Sequence, residues 1–192
     1  SLLSIMYHFM GYFILLKILT TFRKADSLEL SEEDQPFFSI IIAAHNEERT
    51  INRKIENTLS LDYPSDRFEV ILADDWSEDG TINEVKDFIL EGRIRYFKPD
   101  KHMGKTYAQN GAVREAKGDI IAFSDANSYW ETHVLRRFAK RFKDRKVGFV
   151  AGALHYTEMG ETPTGQSQGL YWNYELQLRL LESKFLSIIT SN

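Results

Sequence analysis

The chain contains no cysteine. That removes disulfide frameworks, thiolate zinc sites, iron–sulfur clusters and cysteine nucleophiles. Glycine is sparse at 11 residues and proline sparser at 4, which excludes collagen-like chains. Positive charge is not in excess: the net charge of −4 leaves no basic footprint for nucleic acid. Two phosphate-binding loops are also missing. No GxGxxG follows the first expected strand, which argues against a dinucleotide, and no GxxxxGK[ST] occurs, which argues against a P-loop. What remains is ordinary globular composition, 43% hydrophobic and 27% charged, over 192 residues. Disorder throughout is excluded, and the length suits one domain with an appendage.

Charge is unevenly spread. Residues 1–25 carry Lys17, Arg23 and Lys24 and no acid, although the whole chain is acidic. Within them Leu2–Phe22 (LLSIMYHFMGYFILLKILTTF) is more than half Leu, Ile or Phe. As a helix it spans about 31 Å, one hydrocarbon core. Lys17 lies near one end and can snorkel. The positive charge follows the apolar run, whereas a signal peptide carries it in front. The expectation is a transmembrane anchor over residues 1–24 in the inner or plasma membrane, with the body on the cytoplasmic side by the positive-inside rule. An apolar docking helix is the other reading. Residues 25–36 hold five acids and end in Pro36, and read as an acidic linker.

From Phe37 the pattern alternates strands and helices. FFSIIIAA (37–44), FEVILA (68–73), IRYF (94–97), DIIAFS (119–124) and VGFVAGAL (147–154) read as five strands. Between them lie a helix with Ile51, Ile55 and Leu59, one with Ile82, Val85, Phe88 and Ile89, and one opened by Gly104 with Ala108, Ala112 and Ala116 on a small face. A further helix is striped by Val134, Leu135, Phe138 and Phe142, and another is expected over 168–186. Repeated strand–helix–strand units predict an α/β fold, a mostly parallel sheet with helices on both faces. Ligands of such sheets sit beyond the carboxyl ends of the strands.

Those ends are polar. Strand one runs out into Ala43-Ala44-His45-Asn46-Glu47, strand two into Asp74-Asp75-Trp76-Ser77, and strand four into Ser124-Asp125-Ala126-Asn127-Ser128. Each has a local reading. Asn46 can cap a helix over 47–60, and Asp75, Ser77 and Asp79 can cap or make Asx-turns. Asp125 and Asn127 can turn the chain into a helix over 131–142, and Lys105 can be a surface lysine. His45, His102, His133 and His155 show no ligand spacing and read as structural or surface residues. Polar groups at three strand ends together favour a ligand site.

With these residues in view, the chain resembles family 2 glycosyltransferases of GT-A fold. FFSIIIAAHNEERTI is similar to that family's first strand with its Asn-Glu, EVILADDWSEDGT to its second strand with Asp-Asp and a turn. GKTYAQNGAV resembles the Gly-Lys segment of the processive branch that makes cellulose-, hyaluronan- or poly-N-acetylglucosamine-like polymers, and GDIIAFSDANS stands where the family carries Asp-x-Asp. The resemblance implies a GT-A-type, Rossmann-like three-layer sandwich over 37–156 and a truncated start of an acceptor-side region over 157–192.

It also implies a membrane-anchored, inverting enzyme. Sugar would pass from a nucleotide-diphosphate sugar, a UDP-sugar, to a glycan or lipid-linked acceptor hydroxyl in polysaccharide or glycoconjugate synthesis. Ala43, His45, Asn46, Glu47, Asp75, Lys105 and Asp125 are the expected donor-binding residues. Asp125 and Asn127 are the expected ligands of Mg²⁺ or Mn²⁺, hard cations suited to a diphosphate leaving group. Asn127 replaces the family's second acid, so one formal charge is missing there. The family's general base lies on a later motif, expected beyond Asn192. A donor-binding module without catalysis is the alternative, and a nucleotidyltransferase of related fold the third reading.

Overall fold

A computed structural model of the chain describes residues 10–21, 35–152, 174–175, 177–179 and 181–182. The chain divides into two compact units, one of Ser1–Leu28 with Asp144–Asn192, the other of Glu29–Lys143.

In the first unit, helix α1 spans Tyr12–Thr21. Its Leu16 is buried, whereas Met10, Ile14, Leu15 and Ile18 are exposed. The described residues between 174 and 182 are helical too. Phe13 meets the Tyr174 ring at 5.6 Å, and the Tyr12 hydroxyl donates to Glu182 Oε1 at 2.9 Å. Among the described residues no helix is long and apolar enough to cross a membrane. Residues 2–9 and 22 of the expected span lie outside the described residues, as do most of 168–186.

The second unit holds the sheet. Strands β1 (Phe38–Ala44), β2 (Phe68–Asp74), β3 (Arg95–Phe97) and β4 (Ile120–Asp125) are all parallel, in the order β3-β2-β1-β4. The helices are α2 (Ile51–Leu59), α3 (Thr81–Glu84), α4 (Lys86–Leu90), α5 (Lys105–Glu115) and α6 (Val134–Phe142). Every residue of β1 is buried, as a central parallel strand requires. Its alternate residues serve opposite faces. Phe38, Ile40 and Ile42 pack with Ile51, Ile55, Val85 and Leu135; Ile41 packs with Ile71, Ala108 and Ala112. Each fully buried Ile contributes roughly 1.5–3 kcal/mol. The small face of α5 lets it lie close on the sheet: a Cβ at Gly111 would stand 2.4 Å from Phe97 Cζ.

Three expectations need correction. The second helix is broken: Val85, at φ −118°, separates α3 from α4. Residues 147–152 form no strand, and Phe149 there is exposed; residues 153–154 lie outside the described residues. A strand needs a paired neighbour, and Gly148 and Gly152 weaken this segment's own preference for extension. Finally, α2 starts at Ile51 after Thr50, not after Asn46. Asn46 takes a left-handed φ of 57° instead and serves a neighbouring loop.

Candidate functional site

Strand order reverses between β1 and β4, since β2 and β3 build out on one side of β1 and β4 on the other. Ligand crevices open at this switch, outside the carboxyl ends. Register aligns those ends: Ala43 stands beside Asp125, and Ala44 beside Asp74.

The loops after β1 and β2 brace each other. The Asn46 main-chain N–H donates to Ser77 Oγ at 3.0 Å, and Asn46 Oδ1 accepts from the Glu78 N–H at 2.9 Å. Glu47 N–H donates to Thr81 Oγ1 at 2.7 Å, and Gly80 N–H donates to Glu48 Oε2 at 3.0 Å. Asp79 forms the expected Asx-turn, accepting from the Thr81 N–H at 2.9 Å. The side chains of Asn46 and Glu47 are thereby spent on architecture, the latter accepting from Thr50 Oγ1 at 2.7 Å. Trp76, also left-handed at φ 63°, extends the brace to the loop after β3 by donating to Pro99 O at 3.0 Å.

Two adjacent buried acids leave β2. Asp74 is satisfied at both oxygens, accepting from the Ser77 N–H at 3.0 Å and from the Tyr96 hydroxyl at 2.9 Å. Burial, with this carboxylate as acceptor, raises the Tyr96 phenol well above its ordinary pKa. Asp75 is different. Its side chain is 5% exposed, yet Oδ1 accepts no hydrogen bond. Its main-chain oxygen meets His45 Nδ1 at 2.7 Å and His102 Nδ1 at 2.9 Å, and the two rings stack with centroids 4.9 Å apart.

Toward β4 the site is open. Lys105, the first residue of α5 after left-handed Gly104, forms an ion pair with Asp125. Both side chains are about half exposed, at 53% and 51%. Such a pair adds little stability and is easily exchanged for a ligand. Asn127 is exposed on the turn closed by the Ser128 N–H to Asp125 O at 3.2 Å. The carboxylate and amide oxygens are hard donors and fit Mg²⁺ or Mn²⁺, provided substrate oxygens complete the shell.

Beneath this turn lies Lys54, which the sequence reading passed over. It is fully buried and donates from Nζ to Ser128 O at 2.6 Å, with Nζ 4.8 Å from the Trp130 ring centre. Asn57 grips Trp130 at both main-chain groups, at 3.0 and 2.8 Å. Burial lowers the Lys54 pKa to about 8, against an upward pull from Asp125. Its signal was periodicity: Ile51, Lys54, Ile55 and Thr58 share the buried face of α2. His102 was missed because it lies 57 residues from His45, and only the loop after β3 brings it to the same edge.

The residues expected at the site thus form two clusters, His45 with Asp75 and Lys105 with Asp125, while Asn46 and Glu47 are braces and Ala43 is a buried strand residue. A parallel sheet with acids and a lysine at its switch point defines a Rossmann-like α/β domain. The model of the family described as "Glycosyl transferase family 2" matches residues 39–191, and the chain belongs to that family.

A UDP-Glc:alpha-D-GlcNAc-diphosphoundecaprenol beta-1,3-glucosyltransferase of Escherichia coli is 37% identical over 66% of this chain and 49% of its own length. A beta-monoglucosyldiacylglycerol synthase of a Nostoc species is 32% identical over 60% of this chain and 25% of its own length. The chain therefore spans about half the length of the first relative, and less of the second. Among solved structures, a mannosyltransferase of Pyrobaculum calidifontis in complex with GDP-Man and Mn²⁺ superposes with TM-score 0.64 at 22% identity, over 95% of this chain and 50% of that one. TarS 1–349 of S. aureus in complex with UDP-GlcNAc superposes with TM-score 0.51 at 23% identity, over 66% and 38%. At these identities the structures speak for the fold.

Proposed function

We propose that this chain is the donor-binding part of a glycosyltransferase that moves a sugar from a UDP-sugar to an acceptor hydroxyl with inversion. The observation that carries the reading is Oδ1 of Asp75, buried at the carboxyl edge of the sheet without a hydrogen bond and 3.2 Å from His102 Nδ1, in a chain of this family. A carboxylate there accepts the imide N–H of uracil and rejects cytosine, which offers no such donor. Guanine also carries an N–H of this kind, so GDP is the competitor to exclude. Ala43, His45, Asn46 and Glu47 shape the nucleoside side through main chain and bracing.

Lys105 and Asp125 serve the diphosphate. Mg²⁺ or Mn²⁺ held by Asp125 and Asn127 would neutralise charge on the departing nucleotide. As the acceptor oxygen bonds to the anomeric carbon, its hydroxyl proton passes to a general base, the bond from that carbon to the diphosphate oxygen breaks, and UDP leaves. Lys105 exchanges Asp125 for a phosphate oxygen and holds the leaving group. No described residue is assigned as general base.

The product is a polymer or a single linkage, and the acceptor is a glycan or a lipid-linked glycan, the latter as in the name of the Escherichia coli relative. We assign residues 1–24 as a membrane anchor, with the sheet unit on the cytoplasmic face, on the apolar run and the charge that follows it. The test is product analysis with UDP- and GDP-sugars in membranes. Free UDP from a UDP-sugar supports the reading, whereas pyrophosphate release or a preference for GDP-sugars contradicts it. A donor-binding module without turnover is the second reading, favoured by Asn127 in place of an acid; nucleotide binding without UDP release would select it.

A further inference from the structure

The segment after β4 is held from beneath by a seam of hydrogen bonds that the donor reading leaves unused. Lys54 Nζ donates to Ser128 O at 2.6 Å. Three residues on, Asn57 Nδ2 donates to Trp130 O at 3.0 Å, and Asn57 Oδ1 accepts from the Trp130 N–H at 2.8 Å. Beyond α2, the Asp62 N–H donates to Thr132 O at 2.9 Å. Residues 128, 130 and 132 are thus tied at alternate positions, as a strand would be, although they form none. Residues three apart share one face of a helix, so Lys54 and Asn57 reach the same side.

The seam meets the turn that carries the open side of the site. Ser124 and Ala126 are buried there, whereas Asp125 and Asn127 are exposed. The Ser128 N–H closes the turn on Asp125 O, and Lys54 holds the carbonyl of that same Ser128. Releasing it would free the turn at its downstream end. Lys54 is a costly spacer, since an apolar side chain would fill the space without stripping an ammonium of water. What the ammonium adds is direction, a bond to one main-chain oxygen. We infer that Lys54 and Asn57 are positioning residues that hold the turn so that Asp125 and Asn127 present their oxygens to a metal-bound diphosphate. The inference rests on the donor reading for its ligand and on the seam for its geometry. Residues that orient metal ligands are commonly worth about 10–100-fold in metal affinity.

UDP is titrated calorimetrically into the full chain with Mn²⁺ and with EDTA, and hydrogen exchange is followed across residues 125–132 without nucleotide. Asn57→Ala removes the grip with no change of charge; Lys54→Met removes the donor at similar volume. Each should weaken the Mn²⁺-dependent part of UDP binding by about tenfold and leave binding in EDTA unchanged. Each should also speed exchange at residues 125–132 but not in β1. Loss of the Lys54 charge does not offset the effect, because UDP with one Mn²⁺ is still an anion. Ser39→Ala is the control for stability alone. Its hydroxyl donates to Glu69 Oε1 at 2.6 Å and accepts from the Gly118 N–H at 2.8 Å, at the amino end of the sheet. That variant should melt earlier and keep its Mn²⁺-dependent binding. Folded Asn57→Ala and Lys54→Met chains that bind UDP with Mn²⁺ as wild type does, or an equal loss in Ser39→Ala, would overturn the inference. A folded wild type that binds no UDP defeats the donor reading, and with it the ligand assigned to the turn. Exchange at 125–132 unchanged in both variants refutes the positioning role with or without nucleotide.

Discussion

The carboxyl edge of the sheet is built in two manners. On the β2 side, two loops are tied by at least four cross-bonds and Asp75 is sealed beneath two histidines. On the β4 side, Lys105, Asp125 and Asn127 stand in solvent, and order lies one layer down, in Lys54 and Asn57. Rigid parts recognise what does not change during a reaction, such as a base; exposed groups suit what comes and goes, such as a metal ion and a leaving diphosphate. Asp74 and Asp75 show the contrast within one dipeptide. The first has both oxygens satisfied and is structural; the second keeps one acceptor unspent.

The largest expected effect concerns the layer under the open side. Lys54 has a folded pKa of about 8 against an ordinary 10.5. Between those values the unfolded chain binds more protons than the folded one, so this group makes stability rise with pH across that window. The rise amounts to about 3 kcal/mol over the shift. Denaturant unfolding of wild type and Lys54→Met from pH 7.5 to 10.5 isolates it: the wild type should gain stability relative to the variant as pH rises. A constant difference would mean that Lys54 is not held depressed.

Next comes the sealed side. Asp75→Ala should weaken UDP binding by about 1.5–3 kcal/mol, the range for hydrogen bonds to charged groups. Asp74→Asn should chiefly lower thermal stability. If Asp74→Asn cost more UDP affinity than Asp75→Ala, the assignment within the pair would be reversed.

A smaller effect belongs to the open side. Asp125→Asn should cut the metal-dependent part of UDP binding by about tenfold, because removal of that charge leaves only neutral oxygens on the turn. Binding by the variant that remained as metal-dependent as wild type would place the metal elsewhere. Smallest of all, Lys105→Ala should change the unfolding free energy by less than about 0.5 kcal/mol, since the ion pair is exposed. A larger loss would make Lys105 a structural residue.

Much of this was legible in the sequence because it is local. The buried strands announce themselves as apolar runs, and β1, β2, β3 and β4 fall within a residue or two of where FFSIIIAA, FEVILA, IRYF and DIIAFS put them. The polar residues at their ends follow from the fold class. What was hidden depends on contacts across the chain. Asn46 looked like a helix cap, since nothing local reveals that Glu78 will claim its side chain. His102 looked like surface until the loop after β3 stacked it on His45. VGFVAG read as a strand, yet residues 147–152 pair with no strand.

The central claim is that Asp75 and Asp125 are the two ends of a single nucleotide site. Its most direct test is calorimetric titration of UDP into the full chain and its Asp75→Ala variant, each with Mn²⁺ and with EDTA. The account predicts micromolar binding by the wild type with Mn²⁺, weakened by EDTA and weakened further when Asp75 is truncated. Equal UDP binding by folded wild type and Asp75→Ala, or no binding at all by folded wild type with Mn²⁺ present, would contradict it.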